Sequence, residues 1–174
     1  MEKVILRELR YEDSDKYFKW INDRELVLHN SSYKPVSQHE HNKWFDSVSM
    51  SKDILIFSIL NNSDLIGSCS LRNIDEKNKT AELQIRIGEK NFQNKGIGKL
   101  CVRNLLRFGF NDLNINRIYL NVFSTNLRAI NVYKKCGFKE EGVLRESIYL
   151  NGNFNDVILM SVLKNEYIDN QNQL

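Results

Sequence analysis

The sequence predicts a mixed α/β fold in one domain, and three observations carry that expectation. Short runs that alternate apolar and polar residues mark strands, and longer runs with apolar residues three and four apart mark helices. The two signals interleave along the chain instead of segregating into halves. The chain has 174 residues, 41% of them hydrophobic and 27% charged, the size and make-up of a single globular domain.

Residues 4–9 alternate around Val4 and Leu6 and read as the first strand. Asp13 or Ser14 can cap a helix that runs through Tyr17, Phe18 and Ile21. Pro35 closes an irregular stretch from His29, and Ser37 with Glu40 three residues on forms a capping box for a second helix reaching about Val48. Residues 54–60 and 65–72 form a meander hairpin across the polar turn 61–64. Polar residues 75–79 then lead to a strand over 80–87. A glycine-containing loop follows, then a helix over 96–110 and a branched, aromatic strand over 117–123. Residues 126–136 are helical, with Gly137 where a C′ glycine belongs. Phe138 onward is extended, and Asn151-Gly152 between alternating runs signals a hairpin. The order is therefore βααβββαβαββ. Residues 1–164 form the domain, and 165–174 are expected to be a polar, frayed tail.

Composition excludes several classes of function. The apolar runs are too short to span a bilayer, and the start MEKVILREL lacks the pattern of a secretory signal. Cys69, Cys101 and Cys136 are odd in number and scattered, which fits buried, reduced thiols and a cytoplasmic setting. A net charge of +3, evenly spread, gives no case for nucleic acid. His39 and His41 point to different helix faces and have no partner spacing, so no metal site is expected.

Two stretches carry chemistry. Gln93-Asn94-Lys95-Gly96-Ile97-Gly98 lies between a strand and a helix, where backbone N–H groups and a helix N-terminus are offered to an anion. It is neither a dinucleotide fingerprint nor a Walker loop. It is a phosphate cradle or an ordinary turn. Lys95 and Lys99 flank it with positive charge, and the glycines would let a ligand approach the backbone. The second stretch runs from Asn126 to Phe138. Asn126 can cap its helix or bond a ligand amide, and Tyr133 lies two turns along the same face.

Together, Q-x-x-G-x-G and N-x-x-A-x-x-x-Y-x-K-x-G-F resemble the two motifs of the GNAT superfamily of acetyl-CoA-dependent N-acetyltransferases, and the element order is similar over nearly the whole chain. The branch it resembles contains ribosomal-protein N-terminal, spermidine and nucleotide-amino-sugar acetyltransferases. The resemblance implies a mainly antiparallel central sheet flanked by helices. It implies that Gln93, Asn94, Lys95, Gly96, Ile97, Gly98 and Lys99 cradle the CoA pyrophosphate, and that Ile85, Arg86 and Ile87 pair edge-on with pantetheine and offer an oxyanion contact. Asn126 would bond the pantetheine arm, with Asn131 also on the cofactor side. Tyr133 would protonate the departing thiolate, and Glu82 would accept the amine proton directly or through water.

The acceptor would be met by the N-terminal helices. W-x-N-D (Trp20, Asn22) with Glu25, and H-x-x-W-F (His41, Trp44), are similar to acetyltransferases acting on nucleotide-linked amino sugars. Trp20 and Trp44 either stack on a sugar or base or belong to the core and rim. The expectation is acetyl transfer to the primary amine of a small molecule such as an amino sugar, with a ribosomal N-terminus or polyamine as alternatives. A second class is a non-catalytic acyl-CoA-binding module. The stretch 31–45 carries only Glu40 as an acid, against a polyamine. A monomer or homodimer is expected, with no membrane or nucleic-acid partner.

Overall fold

The computed structural model describes residues 4–29 and 31–171. Among the described residues, seven strands form one sheet: β1 (Val4–Glu8), β2 (Leu55–Asn61), β3 (Asp64–Asp75), β4 (Thr80–Ile87), β5 (Arg117–Phe123), β6 (Lys139–Leu150) and β7 (Asn153–Leu163). Their spatial order is β1-β2-β3-β4-β5-β7-β6. Every neighbouring pair is antiparallel except β4 and β5. The helices are α1 (Ser14–Asn22), α2 (Arg24–Val27), α3 (Gln38–Met50), α4 (Ile97–Arg107), α5 (Leu127–Lys134) and α6 (Lys164–Gln171).

Helix α4 shows why the chain folds around this sheet. Ile97, Cys101, Val102, Leu105 and Leu106 recur at helical spacing and are all buried. They meet Ile59, Ile66, Leu71, Leu83, Ile118, Leu120 and Met160 from the strands, which forms the main core. A smaller core under the N-terminal helices holds Tyr17, Trp20, Leu26 and Leu65. The three cysteines are free and buried. Among the described residues no helix is long and apolar enough to cross a membrane.

Several local expectations meet their physical counterpart. Ser37 and Glu40 form the reciprocal capping box of α3, and Asn151 and Gly152 both take positive φ in the β6–β7 turn. Asp13 does not cap α1. Its buried carboxylate instead binds Arg7 at 2.7 Å, Ser58 Oγ at 2.7 Å and the Arg10 N–H at 3.0 Å. The short helix α2, capped by Asp23, was not expected. The expected frayed tail begins as α6. Its Tyr167 packs on Phe110 with ring centroids 5.1 Å apart, and Glu166 accepts from the Leu163 N–H.

Candidate active site

The sheet is split at its centre. β4 and β5 pair in parallel only at Thr80–Arg117, Ala81–Ile118 and Glu82–Tyr119. Beyond that point β4 stays with β3 as far as Ile87, while β5 follows β7 as far as Phe123. Residues 83–87 therefore have no ladder partner among the described residues on the β5 side, and a wedge with a free strand edge opens. Two clefts reach into this wedge. One, of about 610 Å³, lies beside the N-termini of α4 and α5. The other, of about 660 Å³, lies beneath α1 and α3. Ile85, Arg86, Phe123 and Tyr133 line both, so the clefts meet there.

The first cleft is built largely from backbone. Gln93 Nε2 donates to the Ile87 carbonyl at 3.0 Å and ties the loop to the strand end. Asn94 and Gly96 take left-handed φ of 62° and 79°, so the chain turns sharply before Ile97 starts α4. Among the described residues, a Cβ built on Gly96 or Gly98 would meet nothing within 4 Å. Packing therefore does not require glycine at Gly98, and its bare backbone is left open at the helix N-terminus. Asn126 caps α5 by accepting from the Ala129 N–H at 3.1 Å, and its Nδ2 donates to the His29 carbonyl at 3.2 Å.

Among the residues expected to bind a cofactor, Ile85, Arg86, Ile87, Gln93, Asn94, Gly96, Gly98, Lys99 and Asn126 line this cleft. Three do not. Ile97 is buried in the core, Lys95 lies over the Phe92 ring at 5.4 Å, and Asn131 is exposed on α5. Arg128 was missed. It lines the cleft and donates to Asn94 Oδ1 at 2.9 Å, adding a cation beside Lys99.

Tyr133 sits at the junction. Gly137 takes φ of 96° after α5, and the Phe138 N–H closes on the Tyr133 carbonyl at 3.1 Å. That turn brings the Phe138 ring to 5.7 Å from Tyr133. Burial pushes the Tyr133 hydroxyl up to about 12, so the phenol keeps its proton.

Side chains from several elements make the second cleft. Strand alternation places Ser68, Ser70 and Arg72 of β3 opposite Arg86, Gln84 and Glu82 of β4. All six line the cleft, with Asn121 of β5 and with Lys34, Glu40, His41 and Trp44 above. Glu82 Oε2 accepts from Asn73 Nδ2 at 2.9 Å. Burial lowers the pKa of His41, whose Nε2 lies 3.0 Å from Ser14 Oγ.

Of the expected acceptor residues only Trp44 lines this cleft. Trp20 is 3% exposed, lies against Gly88 and donates to Glu89 Oε1 at 3.2 Å. Asn22 is spent on the backbone: its Nδ2 donates to the Phe18 and Val36 carbonyls, and its Oδ1 accepts from the Val36 N–H at 2.9 Å. Glu25 is exposed and ion-paired with Lys90. The spacing of Tyr17 and Trp20 on one helical face was the available sign that Trp20 is core.

The sequence matches the Acetyltransferase (GNAT) domain over residues 3–139. The chain belongs to the GNAT family of acetyltransferases. It is 31% identical to the uncharacterized N-acetyltransferase p20 of Bacillus licheniformis, over 95% of this chain and 96% of that protein. It is 37% identical to a spermidine N(1)-acetyltransferase of Vibrio cholerae over 61% of each chain. The Vibrio cholerae spermidine N-acetyltransferase solved with CoA and spermine superposes with a TM-score of 0.88 at 29% identity, covering 95% of this chain and 98% of that one. The chain is an N-acetyltransferase that transfers an acetyl group to an amine, and GNAT enzymes use acetyl-CoA as donor. The open glycine backbone, the free edge of β4 and the flanking Lys99 and Arg128 fit that molecule.

Proposed function

We propose that this enzyme acetylates the primary amine of a small molecule where its two clefts meet. The observation that carries this reading is the sharing of Ile85, Arg86, Phe123 and Tyr133 between a backbone-built cleft and a side-chain-built one. Acetyl-CoA supplies the acetyl thioester. The amides around Gly96 and Gly98 at the start of α4 bind its phosphates. The open edge of residues 83–87 takes the pantetheine arm as an added strand, and an N–H of this edge faces the acyl oxygen. Tyr133 holds a proton for the departing thiolate, one that a phenol keeps at neutral pH whether or not burial raises its pKa. Glu82, on the acceptor floor, takes the amine proton directly or through water. Trp44 forms one wall of the acceptor cleft.

The acceptor is a small amine, and an amino sugar fits better than a polyamine. Lys34, Arg72 and Arg86 face Glu40 and Glu82 in the cleft, three cations against two carboxylates. Glu40 is already engaged by the Ser37 N–H and hydroxyl at 2.9 Å. Thiol release from acetyl-CoA, measured with amino sugars, aminoglycosides, polyamines and N-terminal peptides, tests the reading. Turnover of amino sugars is the expected result, and activity confined to peptides would overturn it.

A further inference from the structure

We propose that the acceptor carries an anionic group, a carboxylate or a phosphate, and that Arg72 and Arg86 on the floor of the second cleft bind it. This rests on the acetyltransferase reading above and narrows its substrate class. Among the described residues neither guanidinium makes an ion pair. Arg72 Nε is shut off from solvent and has no hydrogen-bond partner among the described residues. Glu82 stands directly across from Arg72 in the β3–β4 register, yet its Oε2 is taken by Asn73.

Half-burying two unpaired guanidiniums on adjacent strands is costly. Each loses hydration, and Arg86 also feels the positive charge of Arg72. Both effects act on Arg86: burial lowers its pKa first, and the charge of Arg72 lowers it further. Burial likewise lowers the pKa of Arg72, with Glu82 opposing. An incoming carboxylate or phosphate relieves the repulsion and supplies the missing acceptors, and a guanidinium fork matches its geometry. Ser68, Ser70 and Gln84, between and beside the two arginines on the same face, add neutral donors. Because Arg86 also borders the wedge, the anion lies only a few bonds from the reacting amine. A polycationic acceptor would add positive charge to a floor that is already unbalanced.

Arg72 lines only the acceptor cleft, so it separates this role from donor binding. Thiol release is measured for two matched pairs: glucosamine 6-phosphate against glucosamine, and γ-aminobutyrate against butylamine. The expected result is a kcat/KM about 10- to 100-fold higher for the anionic member of at least one pair. The pair that shows it tells phosphate from carboxylate. Arg72→Gln should close that gap through KM, Arg72→Lys should restore part of it, and calorimetry should show unchanged acetyl-CoA affinity. Equal or lower kcat/KM for both anionic members, with the neutral amines still turned over, overturns the anion site and leaves the acetyltransferase reading standing. Titrating the anionic compounds into the CoA-loaded protein needs no turnover. Arg72-dependent binding there supports the site even if the reaction fails, and the absence of such binding overturns the site whether or not thiol is released.

Discussion

The two clefts that meet at Tyr133 are built by opposite means. The side proposed for the donor uses main chain: a strand edge without a ladder partner among the described residues, a loop turned by left-handed Asn94 and Gly96, and the first turns of α4 and α5. The acceptor side uses side chains carried by α1, α3, β3, β4 and β5, over a polar floor set by strand register. Main-chain sites constrain few residue types, mostly glycine and asparagine, and accept a ligand of fixed shape. Side-chain sites can change charge and size at each position without altering the fold.

The strongest way to break this contrast is at the two tryptophans. Trp20→Ala should cost about 3–5 kcal/mol, since it empties a packed site between Tyr17 and Gly88. Chemical denaturation measures the loss, and the folded fraction should keep the wild-type acceptor KM. Trp44→Ala should cost less stability and raise acceptor KM by about tenfold or less. If Trp20→Ala alters acceptor KM and Trp44→Ala does not, the acceptor wall has been misplaced.

Tyr133 belongs to both sides, and Tyr133→Phe should lower kcat by about a hundredfold or more while leaving acetyl-CoA affinity near wild type. Unchanged turnover would remove Tyr133 from proton transfer. Its pH dependence sharpens the point. Burial raises its pKa from 10.0 to about 12, so the proton is still held where a free phenol would have lost it. An alkaline fall in kcat due to Tyr133 should begin only as pH approaches 12. The same shift means that burying the neutral phenol stabilises the fold fully below pH 10, and that this contribution is lost as pH rises through 12.

The contrast between the clefts also explains what could be read from the chain. The strand over 80–87, the Ser37–Glu40 cap and the Asn126 and Gly137 ends of α5 were legible because each signal is local. The Asn94-Lys95-Gly96 turn was legible for the same reason, though it could not show that Lys95 folds back over Phe92. The acceptor side was far less legible. Trp20, Asn22 and Glu25 share a motif, but tertiary packing sends one to the core, one to the backbone of residue 36 and one to Lys90. Arg72 and Arg86 lie fourteen positions apart, and only the β3–β4 register puts them on one face. Helix α2, four residues long, was too short for a periodic pattern, and α6 depended on Tyr167 finding Phe110.

The smallest expected effect tests the donor side most cleanly, because stability and binding should move in opposite directions. Gly98 lies in the first turn of α4, and no described residue comes within 4 Å of where a Cβ would sit. Gly98→Ala should therefore raise stability by up to about 1 kcal/mol through helix propensity. The same methyl group would stand between the ligand phosphates and the N–H groups, weakening acetyl-CoA by about tenfold if a well-made charge-assisted contact is lost. A thermal melt and a calorimetric titration on one sample read both. Gly96→Ala is the control, because at φ of 79° a side chain strains the turn and should lower stability instead. A Gly98→Ala protein that melts higher and binds acetyl-CoA as well as wild type would show that the ligand does not approach this backbone, and the donor cleft would lose its main-chain character.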